Sequence, residues 1–294
     1  MSLANQTCWV VGGVGVIGRG IARSFLQAGA NVIVNSSQES RLRQIASDLH
    51  NSSSLILVKG DLTPESAQAT IDTALAVAPN GHPLRHVVAR GAVRYWTKQI
   101  AGCDETNSLV DADESAAQKR LLDMSPEYFI DTSSRLAALH FNAVKNVLPK
   151  LDVSTDTHAS YTFVTGDGGG HISGKRSATG EINSHHMWGL SAALREELKA
   201  NNEQGEDANV LCREVRVGLP VNRSMEEQQS EPRDRPLSED IGDLCAGIAV
   251  SMKDNGKLIK IDSQKTLDNN LIKFNADKDK SINLPHLWEF NGSL

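Results

Sequence analysis

Five glycines fall within nine residues: Gly12, Gly13, Gly15, Gly18 and Gly20. They lie in Thr7–Ala22, TCWVVGGVGVIGRGIA, between a β-branched apolar run and a helical pattern. Gly13-Val14-Gly15-Val16-Ile17-Gly18 fits G-x-G-x-x-G, and Gly12, Gly15 and Gly18 also fit G-x-x-G-x-x-G. Glycines permit a tight strand-to-helix turn and let a pyrophosphate come up to the backbone. The helix that follows offers open N–H groups and the positive end of its dipole. The alternative is a glycine turn that only packs strand on helix. A strand before the motif and a helix after it favour the phosphate-binding reading. A second group is titratable: Asp167, His171, Lys175, Arg176, Glu181, His185 and His186 crowd one stretch. A histidine there can act as an acid near neutral pH. His185 and His186 are neighbours on a helical pattern and cannot face the same way, which argues against a metal held by that pair.

The elements that must position these residues alternate along the chain. Apolar runs at Cys8–Val11, Asn31–Val34, Leu55–Lys59, His86–Ala89, Tyr161–Thr165, Val210–Val217 and Leu258–Ile261 read as strands. Helical patterns cover Arg19–Ala28, Gln38–Leu49, Thr63 to about Ala78, Ser125–Leu148, Ser184–Ala200 and Ser238–Met252. Thr63-Pro64-Glu65 is expected to open its helix, and Ser238 to cap the last one. Continuous apolar strands alternating with helices predict an α/β fold, a single-domain doubly wound parallel sheet of about seven strands, with helices on both faces. The whole chain, 1–294, reads as one domain. It carries an acidic insertion at about 97–123, a polar lid at about 222–236 and a C-terminal tail at about 268–294.

The totals exclude several classes. Hydrophobic residues make up 39% of the chain, enough for a full core, and net charge is −6. Without a basic block, nucleic acid and anionic membrane are poor partners. No apolar run approaches the ~18 residues that span a bilayer. The N-terminus lacks a signal or transit pattern. Cys8, Cys103, Cys212 and Cys245 are scattered, with no C-x-x-C, so no metal is expected and a cytoplasmic protein is.

In order and spacing the landmarks resemble those of the short-chain dehydrogenase/reductase family, over about residues 5–267. Val11-Gly12 through Ala22 looks like that family's glycine motif, with Val11 in place of Thr. Asp61-Leu62 sits where an acid and its apolar neighbour hold the adenine. Ala89-Arg90-Gly91-Ala92 takes the place of N-N-A-G. Leu219-Pro220-Val221 lies where the nicotinamide pocket is lined. The resemblance implies a Rossmann-type fold and cofactor contacts at Gly12, Gly15, Ile17, Gly18, Ser36, Ser37, Asp61, Leu62, Ala89, Gly91 and Pro220. It also implies a homodimer, paired through the helices at Pro126–Leu148 and Ser184–Ala200. The first of these carries more apolar positions than one core stripe needs, and the excess has Thr97–Asp123 as its other candidate partner.

NAD-binding units usually end the second strand with an acid that bonds the ribose 2′-hydroxyl. Here the run is Val34-Asn35-Ser36-Ser37-Gln38. Nothing repels a 2′-phosphate, and Ser36, Ser37, Arg41 and Arg19 are candidates to bind one, so NADP(H) is favoured over NAD(H). A polar turn is the other reading of the two serines, and a turn residue the other reading of Asp61.

The family's reacting residues are not matched. Aligned on Gly189–Leu194, the family's Tyr and Lys positions hold Gly180 and Ser184, its Ser position Gly166, and its Asn position falls near Leu136. Tyr95, Tyr128 and Tyr161 are followed four residues on by Gln99, Thr132 and Thr165, so no Y-x-x-x-K exists in any register. The substitute donors of choice are His171 and Lys175, on the loop that would roof the nicotinamide. Two classes follow: an oxidoreductase with a non-standard active site acting on a small molecule, or a catalytically silent member serving as nucleotide sensor or scaffold.

Overall fold

The computed structural model describes residues 3–79, 81–90, 121–153, 158–166, 178–204, 210–219, 221 and 236–275. The strands are β1 (Thr7–Val11), β2 (Asn31–Ser36), β3 (Leu55–Lys59), β4 (Leu84–Ala89), β5 (Ala159–Gly166), β6 (Val210–Val217) and β7 (Leu258–Ile261). The helices are α1 (Val16–Gln27), α2 (Glu39–Asp48), α3 (Ala67–Val77), α4 (Pro126–Val147), α5 (Ala178–Gln204), α6 (Leu237–Val250) and α7 (Gln264–Asn275). The seven strands form one sheet in the order β3-β2-β1-β4-β5-β6-β7. Every pairing is parallel.

Period-two alternation divides the core between the two faces. Cys8 and Val10 of β1 pack with Ile21 and Phe25 of α1 and with Ile241 and Leu244 of α6. Trp9 and Val11 pack on the opposite face, with Ile71 of α3, Val144 of α4 and Leu194 of α5. The doubly wound reading is therefore correct. From β1 the strand order runs outward to β3, then returns to β4 on the other side. The crevice above the carboxyl ends of β1 and β4 is this sheet's switch point, where ligands of such folds bind.

Several boundaries differ from expectation. Thr63-Pro64-Glu65 is a turn, and α3 begins at Ala67. The Asp61 carboxylate holds that turn by accepting from the Thr63 N–H and hydroxyl and from Ser66 Oγ. Ser238 lies inside α6, whose N-cap is Pro236. Ser125 does cap α4, accepting the Tyr128 N–H at 3.2 Å. The C-terminal tail was expected from about residue 268, but α7 extends to Asn275, with Leu267 and Phe274 buried against α6. Only its last part, with nearly all of 97–123 and 222–236, lies outside the described residues.

Arg213 of β6 is fully buried and gives its guanidinium to the carbonyls of Ile248, Ser251 and Lys253. A cation there satisfies carbonyls that the end of α6 leaves open. Burial nevertheless lowers its pKa, to about 10.

His86 of β4 is buried between Ser160 Oγ, 2.9 Å from Nδ1, and Gln6 Oε1, 2.7 Å from Nε2. Burial first, then the charges of His158, Arg85 and Arg213, push its pKa down to about 3. The unfolded chain takes up this proton below about pH 6.5, whereas the folded chain refuses it until about pH 3. Stability from this group is thus complete above pH 6.5 and drains as pH falls toward 3, by up to a tenfold loss in the folding equilibrium per pH unit. Thermal melts taken from about pH 7 to about pH 4 should fall more steeply for the parent than for His86→Gln. Parallel curves would show that His86 does not carry the acid sensitivity.

Candidate functional site

The glycine turn joins β1 to α1 at the switch point. Gly12 has φ +71°, a left-handed conformation that a side chain opposes. A Cβ on Gly18 would stand 2.5 Å from the Gly13 backbone, so this glycine is required by the packing of turn on helix. A Cβ on Gly15 would meet a different object, Nη1 of Arg90 at 2.6 Å. Gly15 is the N-cap of α1 with no side-chain cap, and the first turn of α1 carries no acid. Open N–H groups and the helix dipole therefore face the crevice as the motif requires. Ile17 is half-buried against the α1 side of the core.

At the end of β2, Asn35 is buried, accepting from Trp9 Nε1 at 3.0 Å and donating to the Gly60 carbonyl at 3.2 Å. No carboxylate stands at residues 34–38. Ser36 Oγ accepts the Gln38 N–H at 3.1 Å, the local turn role, while Ser37 is exposed. Arg19 pairs with Asp48 at 2.6 Å and gives Nε to the Val14 carbonyl at 3.2 Å. It is thus engaged between α1 and the end of α2. Partial burial raises the Asp61 pKa, but bonds from Ser66 and Thr63 more than reverse that, leaving the carboxyl below its ordinary range. All three bonds converge on Oδ1. Leu62 is buried, and its carbonyl accepts Asn142 Nδ2 of α4 at 3.2 Å. Ala89 is fully buried beside Val11. Gly91, Pro220, His171 and Lys175 lie outside the described residues.

A family model described as short chain dehydrogenase matches residues 6–101. A short chain dehydrogenase/reductase of Macrophomina phaseolina is 39% identical over 74 residues, 24% of this chain and 42% of the relative. One from Gibberella zeae is 39% identical over 62 residues, 21% of this chain and 23% of the relative. The fold agrees over far more of the chain. The Pseudomonas aeruginosa RhlG/NADP active-site complex matches at a TM-score of 0.65 and 17% identity, covering 90% of this chain and 98% of that one. Over residues 6–101 the chain is similar to the short-chain dehydrogenase/reductase family, and over most of its length it shares the fold of such enzymes. A further solved structure, 3-ketoacyl-(acyl-carrier-protein) reductase from Brucella melitensis complexed with NADH, matches at TM-score 0.63 and 14% identity, covering 90% and 100%. At these identities the structural likeness is one of fold. The chain spans less than half the length of the two curated relatives, 42% and 23%.

Gly180 and Ser184 share the first turns of α5, which starts at Ala178 rather than Ser184. Ser184 Oγ donates to the Gly180 carbonyl at 3.0 Å. Gly166 is the exposed last residue of β5. Leu136 lies on α4, where its N–H donates to Asn183 Oδ1 of α5 at 3.3 Å. His185 and His186 diverge as a helix requires: the His185 ring packs tilted against Trp188 with ring centroids 4.4 Å apart, and His186 Nδ1 meets the Ser133 carbonyl at 2.6 Å. Tyr161 is fully buried in β5, and burial pushes its phenol far above its ordinary range. It is no acid for solvent-side chemistry.

Two features escaped the sequence reading. The first is a charge network where β6 meets β5 and α5. Glu214 of β6, fully buried, accepts from Thr165 Oγ1 at 2.7 Å, Ser191 Oγ at 2.8 Å and Arg216 Nε at 2.8 Å. Arg195 Nη2 stands 3.5 Å from its other oxygen, and Arg216 lies 4.3 Å over the Trp188 ring. The signal was present in VLCREVRV, where three charges interrupt an otherwise apolar buried strand. The second is Arg90, buried with 6% exposure at the end of β4. Its cue was a cation standing in the N-N-A-G place.

Proposed function

We propose that the chain binds NADP(H) in the crevice between β1 and β4 and acts as an oxidoreductase with a non-standard active site. The observation that carries the cofactor reading is the end of β2. Asn35 occupies the strand end with both amide atoms bonded inward, and no carboxylate opposes a 2′-phosphate. The glycine turn and the open N-terminus of α1 support the pyrophosphate. Bound there, the nicotinamide supplies hydride chemistry. Gly12, Gly15 and Gly18 shape the turn, Ser36 and Ser37 are the candidates for the ribose phosphate, and Asp61 Oδ2 with Leu62 is suited to the adenine. Of the solved neighbours, the Pseudomonas aeruginosa complex is with NADP and the Brucella melitensis reductase is complexed with NADH, which favours neither.

A catalytically silent, nucleotide-sensing role is the second reading. It is favoured by Ser184, whose hydroxyl turns back on Gly180, so the two positions aligned with phenol and ammonium hold neither. The experiment is a calorimetric titration with NADPH and NADH, followed by turnover on a carbonyl and enone panel. Tighter binding of NADPH, with turnover about 10²–10⁴-fold below an ordinary member, supports the first reading. Substitution of His171 or Lys175 by alanine should then abolish the residual rate while leaving binding intact. Binding without turnover selects the second reading; no binding rejects both.

Dimerisation through α4 and α5 belongs to the same proposal. Ile130 and Phe141 of α4 are 67% and 51% exposed, apolar surface suited to a second copy of the helix pair. Light scattering giving a mass near 31.8 kDa at micromolar concentration would reject it. Among the described residues no helix is long and apolar enough to cross a membrane. Free buried thiols at Cys8, Cys212 and Cys245 support placing the protein in the cytoplasm, which cell fractionation checks.

A further inference from the structure

We infer that Arg90 is the cation that grips the cofactor's pyrophosphate, an inference that rests on the nucleotide-binding reading above. The placement is set by the backbone. Ala89 ends β4 in register with Val11, and the next residue, Arg90, donates its N–H to the Val11 carbonyl at 3.0 Å. The side chain is thereby launched at the switch point, between the two strands whose carboxyl ends frame the crevice.

From there the guanidinium crosses to the glycine turn. Nη1 is 2.6 Å and Cζ 3.6 Å from where a Cβ on Gly15 would stand. Gly18 faces the turn's own backbone and Gly13 faces Val34 and Val10, so Gly15 differs in opening toward a charged group. The surface that Gly15 leaves clear is the one a pyrophosphate approaches. A fixed positive charge thus stands beside the N-terminus of α1, and both favour a dianion at the same place.

Guanidinium geometry matches phosphate better than any other side chain, because its planar fork gives two parallel N–H bonds. Burial at 6% exposure strengthens that pairing, since little water competes. Arg90 therefore adds a charge to a turn that has valine rather than threonine at residue 11. Its contact is with the part common to NADPH and NADH, so it governs affinity rather than the choice between them.

The test is calorimetric titration of the parent, Arg90→Met and Arg90→Lys with NADPH and with NADH. The expected result is that Arg90→Met weakens both cofactors by about 10–100-fold and by the same factor, while Arg90→Lys loses less. The parent's decline in affinity with added salt should flatten in Arg90→Met. Gly15→Ala is the second variant. Its Cβ would displace the tip of a flexible side chain rather than backbone, so the fold should survive while binding weakens. Unchanged affinity in a folded Arg90→Met overturns the inference and leaves the cofactor reading standing. Tighter binding also overturns it, making Arg90 a plug in the turn. A loss confined to NADPH moves the contact to the 2′-phosphate and overturns it equally. Absence of binding in the parent defeats the cofactor reading itself, before any substitution is made.

Discussion

Replacing Glu214 with alanine is expected to cost the fold about 3–5 kcal/mol. The carboxylate is 0% exposed, while Arg195 and Arg216 beside it are 10% and 14% exposed. Truncation would remove the shared counter-charge of two nearly buried guanidinium groups and the acceptor for Thr165 and Ser191 hydroxyls. Both cations are largely withdrawn from water, so much of the desolvation already paid on folding would no longer be offset. Glu214→Gln keeps the volume and one acceptor oxygen and should lose less. Denaturant unfolding of the three proteins, compared at constant slope, measures this. A Glu214→Ala loss under about 1 kcal/mol would mean that the arginines find other partners at no cost. The network also has a functional consequence. It fastens α5 to β5 and β6, which would frame the reacting end of the proposed site. Glu214→Gln should therefore disturb any turnover more than it disturbs cofactor binding at β1 and α1.

The second large effect concerns a crossing of two helices. Gly20 of α1 lies against the Ser238 carbonyl of α6, and Gly242 of α6 lies against the Gly20 carbonyl. A Cβ at either position would run into backbone, and a Cβ on Gly242 would also stand 2.6 Å from Ser24 Oγ. Backbone cannot swing aside as a side-chain tip can, so Gly20→Ala must push the helices apart. Overpacking of this kind typically costs about 1–3 kcal/mol, and Gly20→Val should exceed Gly20→Ala. Thermal and denaturant melts check the stability, and cofactor titration of whatever remains folded checks the second consequence. Moving α1 off α6 would also move its N-terminus, so with the proposed cofactor site affinity should fall with stability. A Gly20→Ala protein as stable as its parent would show that the α1–α6 contact is looser than the geometry states.

The sheet was legible because its determinants are local. Seven short apolar runs, separated by helical patterns and glycine turns, dictate parallel strands with both faces covered, and the observed order follows. The glycine turn was legible for the same reason, since Gly12 through Gly18 are bonded neighbours whose conformations depend on one another. Helix ends were less so. α1 begins at Val16 and α5 at Ala178, each earlier than helix-forming preference alone would set it. α7 was missed, although Leu267, Leu271 and Phe274 keep a helical spacing, because a short amphipathic segment becomes a helix only when α6 supplies its apolar partner.

The site divides in the same way. The sequence by itself determined the glycine turn, the missing acid after β2, and the absence of any tyrosine with a lysine four residues on. Only the tertiary structure brought Arg90 onto Gly15, gathered Thr165, Ser191, Arg195 and Arg216 around Glu214, and turned Arg19 onto Asp48. These contacts join residues far apart along the chain, and a charge in a strand carries no mark of which distant partner will neutralise it. That partner is fixed by strand order and register, which place β4 beside β1 and β6 beside β5.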